Sequence, residues 1–526
     1  MPELASPFLI IAILLGTIAL PFTKAQVQRH LGTVLIVLCT LATVVFLHQI
    51  ASGQAKAGKM QSQLSEEKAE SALRMMSCLN VGLSKIYELG GPLQDKKGHR
   101  YTALEASRSG MGNYFKVAEE SLKAAIKANP KDKILKAKLV VLLSVYGKHR
   151  DLLKSSCEEL KASSDTSDRE LGELLWEICV QQDPVSADNL PAQKALIEKR
   201  FARGWYQETA LLALYKNSSS HKDHQTYSKQ LEERYNNSFK TGAILFSVAA
   251  ISAFIGVIVI IIQLGSLGRK EKTDVPEEDR IKLDLSLRTV YAVFVGWMSS
   301  ELAIGEGFKL LANANVNFRA LFGAGAIGLA ELSFVSYMLT MIPALLLIHF
   351  VALRPKGLLP FSALKLRFKT PQAGPFSLVL KGFLSWCAIF PCVLIASVIS
   401  FGLGLQGSDN PILPQIAIIA GSNDVLAIGL LITTVAVMAP LCEEIIFRGF
   451  LYSALRTKWG IFPAILVSSF VFAFIHFDKG GSLMLLALAP VLALAFERNR
   501  SLLPSMVAHG LWNGGSVAAM LTLFLN

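Results

Sequence analysis

The chain has 526 residues, 52% of them hydrophobic and only 17% charged, with a mean hydropathy of +0.43. That balance is too apolar for an ordinary soluble enzyme. The formal charge of +12 sits largely in short Lys/Arg segments beside apolar runs. This reads as membrane topology rather than nucleic-acid binding, because no basic patch is interleaved with aromatics.

In chain order, the first apolar run is Pro7 to Pro21. It has no basic residue before it and Lys24 and Arg29 after it, the reverse of a cleaved leader, so a retained span is expected. Leu31 to His48 is a second span. With the Lys24 and Arg29 loop in the cytoplasm, residues 52–238 fall outside it. Those residues read as helical, and one stretch resembles a tetratricopeptide (TPR) helix pair: Ala118, Leu122, Ala125 and the turn Asn129-Pro130, then Leu139, Leu143 and Gly147. A protein partner for this TPR-like segment is one expectation, and a plain helical insert is the other. Of the seven cysteines, Cys78, Cys157 and Cys179 lie in this stretch, and their pairing is open.

Gly242 to Leu264 re-enters the membrane, and further spans are expected near 289–304, 331–353, 379–404, 425–455, 461–477, 482–496 and 503–525. Loops 269–288 and 354–369 are basic, whereas 406–424 contains no Lys or Arg, so all agree on one orientation. Glu306, Lys309 and Arg319 make the stretch from 306 to 330 an amphipathic or re-entrant piece. The expected fold is therefore all-α: a polytopic membrane helical bundle with an inserted soluble α-helical domain. Its parts are two N-terminal spans (1–50), the soluble domain (52–238), further spans and cytoplasmic loops (240–378) and a membrane core (379–526).

An ionisable residue in an apolar segment costs several kcal/mol unless it is paired or faces a wet cavity, so such residues are functional candidates. The last hundred residues concentrate them. In Leu441-Cys-Glu-Glu-Ile-Ile-Phe-Arg448, a helix places Arg448 on the same face as Glu444, four residues away, and roughly 140° from Glu443. Glu444 and Arg448 can then neutralise each other, leaving Glu443 as the working carboxylate. His476 lies in a Val/Ser/Phe/Ala span, and His509 and Asn513 share one face of another. Taken singly, each has a bland reading: a solvated helix end, a packing histidine, an inter-helix hydrogen bond. Depth is a further constraint. If the span carrying Glu443 ends at its charges, alternation puts Glu443 and His509 near one membrane face and His476 near the other.

The ordered set EExxxR, FxxxH and HxxxN resembles the CAAX prenyl endopeptidase type II family (CPBP/Abi intramembrane proteases), including bacterial relatives linked to bacteriocin immunity. The resemblance covers roughly residues 379–525 and all three motifs are intact. It implies an intramembrane endopeptidase in which Glu443 and His476 activate water, His509 and Asn513 stabilise the oxyanion, and Glu444 and Arg448 support. A carboxylate base and amide or imidazole donors suit that chemistry, and no covalent nucleophile is required. Glu443, His476 and His509 could instead bind zinc in a His₂Glu set. The absence of HExxH and the presence of Asn513 favour a metal-free mechanism without cofactors. The expected partners are membrane lipid and a peptide or protein substrate whose prenylation the extra domain leaves in doubt. The expected place is a prokaryotic cell membrane. A non-catalytic scaffold or immunity-like factor is the alternative, and transport a third.

Overall fold

The computed structural model describes short stretches between residues 65 and 101, then 103–218, 221–267, 280–313, 322, 325–403, 412–476, 478 and 481–524. The two spans expected before residue 50, most of the basic loop after 267, and Arg319 lie outside the described residues. Among the described residues the regular elements are helices, apart from a two-residue antiparallel pair, Leu93–Gln94 with Arg100–Tyr101, and two isolated bridges.

Two compact units emerge. One comprises residues 65–246 with 412–423 and 519–524, and the other 247–403 with 424–518. In the first, helices α1 (Ala103–Ala128), α2 (Lys133–Tyr146), α3 (Arg150–Lys161), α4 (Thr166–Leu175), α5 (Leu190–Arg200) and α6 (Trp205–Asn217) follow one another through short turns. Asp132 caps α2 by accepting from the Ile134 amide at 3.0 Å, and Gly147 ends it with φ 69°, where a side chain would be strained. Ala118, Leu122 and Ala125 of α1 and Leu139 and Leu143 of α2 are all buried. Cys78, Cys157 and Cys179 are free and buried, and burial pushes the Cys157 thiol up to about 12. Cys157 and Cys179 pack this core, and none of the three is bridged.

Helix α7 (His221–Leu267) follows, then α8 (Leu287–Asn313), α9 (Gly325–Leu347), α10 (Pro375–Gly402), α11 (Val425–Trp459), α12 (Ile461–Ile475), α13 (Ser482–Asn499) and α14 (Leu503–Phe524). Among the described residues, five helices are long and apolar enough to cross a membrane: 222–263, 325–356, 375–400, 425–459 and 482–499. The chain is an integral, multi-pass membrane protein. Its apolar side chains face outward as well as in: Phe246 and Phe254 on α7, and Leu394, Ile395 and Val398 on α10, are each more than half exposed. Helix association in lipid relies on close backbone approach, and Gly256 shows it, since a Cβ there would lie 2.0 Å from the Cys387 carbonyl oxygen. Glu306 and Lys309 do not begin a separate re-entrant piece, because α8 runs through them to Asn313.

The span expected at 425–455 forms: α11 runs through the charges of Glu443 to Arg448 and continues to Trp459, where Gly460, at φ 83°, turns the chain into α12. Glu443 lies 17 residues before Gly460 and His476 lies 16 after it, so two antiparallel helices from one turn bring them to equal height, roughly 25 Å along each. The depth conflict disappears.

Candidate active site

Pro440 begins the local argument. It has no N–H, so the carbonyls one turn earlier lose a helical partner, and the helix widens into a π segment over Thr433–Met438 before resuming as α over Ala439–Glu444. The freed Val435 carbonyl accepts from Asn513 Nδ2 at 3.0 Å. Beside it, a Cβ on Gly510 would sit 2.7 Å from the Ala436 carbonyl oxygen. Glycine therefore lets α14 press onto α11 and delivers His509 to the carboxylates. Gly510→Ala is expected to force the helices apart at a cost of about 1–3 kcal/mol, with a matching fall in thermal midpoint and in activity. Gly515→Ala is the control, because no atom lies within 4 Å of its added methyl. Equal behaviour of the two variants in a thermal-unfolding assay would contradict this packing.

A second π segment spans Ile445–Tyr452. It keeps Arg448 opposite Glu444: Arg448 Nη1 donates to Glu444 Oε1 at 2.8 Å, and Nη2 to the Ala489 carbonyl at 3.3 Å. Both side chains are sealed, Glu444 with no exposed surface and Arg448 with 2%. The Phe472 ring lies under the guanidinium at 4.5 Å. Phe472 also stacks near His476 (4.8 Å) and His509 (5.9 Å), which gives the aromatic of the FxxxH motif a physical task as their common platform.

The two histidines are oriented in the same sense. His476 Nδ1 lies 2.7 Å from the Phe472 carbonyl, and His509 Nδ1 lies 2.8 Å from Glu444 Oε1. Each partner only accepts, so the hydrogen-bond pattern assigns the Nδ1 proton in both rings and turns Nε2 toward Glu443. His476 Nε2 is 4.0 Å and His509 Nε2 is 3.8 Å from Glu443 Oε2. These separations exceed a direct hydrogen bond and match groups that share a bridging molecule. The other carboxylate oxygen, Oε1, accepts from the Tyr337 hydroxyl at 3.1 Å.

Glu443, Glu444, Arg448, His476 and His509 are thus brought together. Asn513 is one turn beyond His509, with an amide hydrogen committed to Val435. Sequence reasoning missed Tyr337, a single tyrosine in an apolar helix whose only signal is its place in the folded chain. It also missed the cradle that follows the motif, where Arg456 grips Glu497 through Nε and Nη2 (2.8–3.1 Å) and Tyr452 donates to the same carboxylate at 2.7 Å. That network ties the end of α11 to α13.

The pair of imidazole Nε2 atoms and one carboxylate oxygen has the donor types of a His₂Glu zinc set. Among the described residues, however, no group of three or more His, Cys, Asp or Glu is arranged to hold a metal ion.

Comparison with known proteins adds an independent line. Residues 425–515 match the family described as type II CAAX prenyl endopeptidase Rce1-like. Over 113 residues the chain is 27% identical to "Putative membrane peptidase YdiL" of Bacillus subtilis (strain 168). That match covers 22% of this chain and 43% of the relative, so the chain spans less than half the length of the curated protein it resembles. No solved structure matches it. The matched interval contains EExxxR, FxxxH and HxxxN in full, and with the fold above it makes residues 425–515 an Rce1-like, type II CAAX prenyl endopeptidase domain within a longer multi-pass membrane chain.

Proposed function

We propose that this protein is an intramembrane endopeptidase that hydrolyses a peptide bond of a membrane-associated peptide or protein. The observation that carries the reading is the placement of Glu443 Oε2, on the long apolar helix α11, within 4.0 Å of two imidazole Nε2 atoms, one at the end of α12 and one on α14. A water in that gap is within hydrogen-bond reach of all three. Glu443 takes its proton as the water attacks the carbonyl carbon, and His476, acceptor at Nε2, steers the water's second hydrogen. His509 acts on the other side of the reaction. Its Nδ1–H is fixed on Glu444, so a proton on Nε2 makes it an imidazolium aimed at the developing oxyanion, and the second N–H of Asn513 is available beside it. That proton also completes the charge balance, since Glu443 and Glu444 face one guanidinium. The Glu443 proton then passes to the leaving amine.

This mechanism uses no metal. Were a zinc ion held by Glu443, His476 and His509, it would supply Lewis-acid activation of the same water. Full-length protein in proteoliposomes, presented with membrane-protein extract and read by mass spectrometry of new termini, tests both points. Cleavage that survives exhaustive chelation is the expected result; stoichiometric zinc with chelator-sensitive cleavage would replace the metal-free scheme, and no new termini would remove the peptidase reading. Tyr337 is a positioning residue in this scheme. Tyr337→Phe frees Glu443 to rotate, and the expected result is a kcat reduced roughly tenfold or more with KM little changed. A change confined to KM would count against that role.

The proposed setting is a prokaryotic cell membrane, and the arrangement of Lys and Arg supports placing residues 52–238 on its extracytoplasmic side, where this TPR-like helical segment would engage a protein partner or present the substrate. A glycosylation- or protease-accessibility map of residues 52–238 in intact cells checks the side.

A further inference from the structure

A cavity of about 150 Å³ lies apart from the catalytic gap, lined by Leu345, Ile348, His349, Phe361, Leu364 and Ile445 among others. Its lining is apolar except for His349, whose Nδ1 is buried without a hydrogen-bond partner. Leaving such an atom unpaired costs free energy that a bound acceptor or donor would recover. At about 30 Å³ per water-sized group, the volume suits a stretch of hydrocarbon chain and not a whole lipid.

The mouth of this cavity has its own chemistry. From Leu332 to Ser408 the sequence has no Asp or Glu but carries Arg354, Lys356, Lys365, Arg367, Lys369 and Lys381. Leu359, Phe361 and Phe368 before α10, and Phe376 in its first turn, expose between 67% and 83% of their surface. Exposed aromatics among cations are the signature of a segment lying in the bilayer interface, where each Lys or Arg near an anionic surface is favoured. Arg354 and Lys356 directly follow Leu353, itself a lining residue, and His349 lies five residues before Arg354, roughly 7 Å along the helix. That is about the offset between a phosphate and the ester groups beneath it. The nearby Asp284 carboxylate is paired with Lys458, and Lys356 donates to the Asp284 carbonyl.

We propose that this cavity is a binding site for an anionic glycerophospholipid, with part of one acyl chain inside, the ester region at His349, and the phosphate at Arg354 and Lys356. Because Ile445 both lines the cavity and adjoins Glu444, an occupied site would brace the helix that carries the catalytic carboxylates.

The test uses full-length protein, delipidated in a neutral detergent and titrated with phosphatidylglycerol, phosphatidylcholine of the same acyl chains, or inorganic phosphate, with thermal midpoint and native mass spectrometry as readouts. Expected is retained phosphatidylglycerol and a rise in midpoint that phosphatidylcholine and phosphate do not reproduce. Arg354→Gln with Lys356→Gln, both exposed, should weaken retention roughly thirtyfold. Leu345→Trp, which fills the cavity, should abolish the preference. Equal stabilisation by the two lipids, the same shift with phosphate alone, or a preference unchanged in the charge variant would each overturn the proposal. So would displacement of phosphatidylglycerol by a phosphate-free prenylated peptide at equal concentration.

Discussion

Glu443→Gln is expected to reduce kcat by about 10²–10⁴-fold while the protein folds, inserts and binds substrate as before. Glutamine has the same shape, and its amide oxygen can still accept from the Tyr337 hydroxyl. What it loses is the capacity to take a proton from the water between Oε2 and the two imidazoles. The size of the loss separates explanations. A merely positioning side chain costs about tenfold, as expected for Tyr337→Phe, whereas a general base reaches the larger range. Proteoliposome cleavage and a cell phenotype should fall together. A phenotype retained at full strength in Glu443→Gln would point instead to the scaffold or immunity-like reading, in which the helical domain binds a partner and the membrane core only anchors it. A flux assay on the same vesicles disposes of transport.

Much of this site could be read before any coordinates. The four-residue spacing of Glu444 and Arg448 predicts their ion pair, and it forms at 2.8 Å even though the helix there is π rather than α. Separation of the two carboxylates also follows from their adjacency: Glu444 turns into the sealed interior, and Glu443 meets the histidines. Local arithmetic stops where the chain must return on itself. Tyr337 is 106 residues from Glu443, and no periodicity connects them. The task of Asn513 depends on a carbonyl released by Pro440 in a helix 78 residues earlier. Depth stayed open for a different reason: charges in LCEEIIFR suit a helix end as well as a continuing span, and burial of Glu444 and Arg448 against Phe472 is what carries the span through them.

Breaking the Glu444–Arg448 pair from one side should cost more stability than removing it altogether. Glu444 and Arg448 lie inside the helix bundle with 0% and 2% of their surface exposed, so each charge depends on the other for its neutralisation. Arg448→Met leaves Glu444 with only His509 as a charged partner, and Glu444→Gln leaves Arg448 facing the Ala489 carbonyl and the Phe472 ring. Each single variant is expected to lose about 3–5 kcal/mol, enough to lower the unfolding midpoint in detergent by many degrees. The double variant Glu444→Gln/Arg448→Met buries no lone charge and should be more stable than the sum of the two losses predicts, in a cycle measured by the same assay. Its activity should not recover with its stability. His509 would then donate to a neutral amide instead of a carboxylate, and the imidazolium that meets the oxyanion would lose its support. Additive losses in the double variant would mean that the pair is not electrostatically coupled, whereas stability regained without activity identifies Glu444 as the group that orients His509.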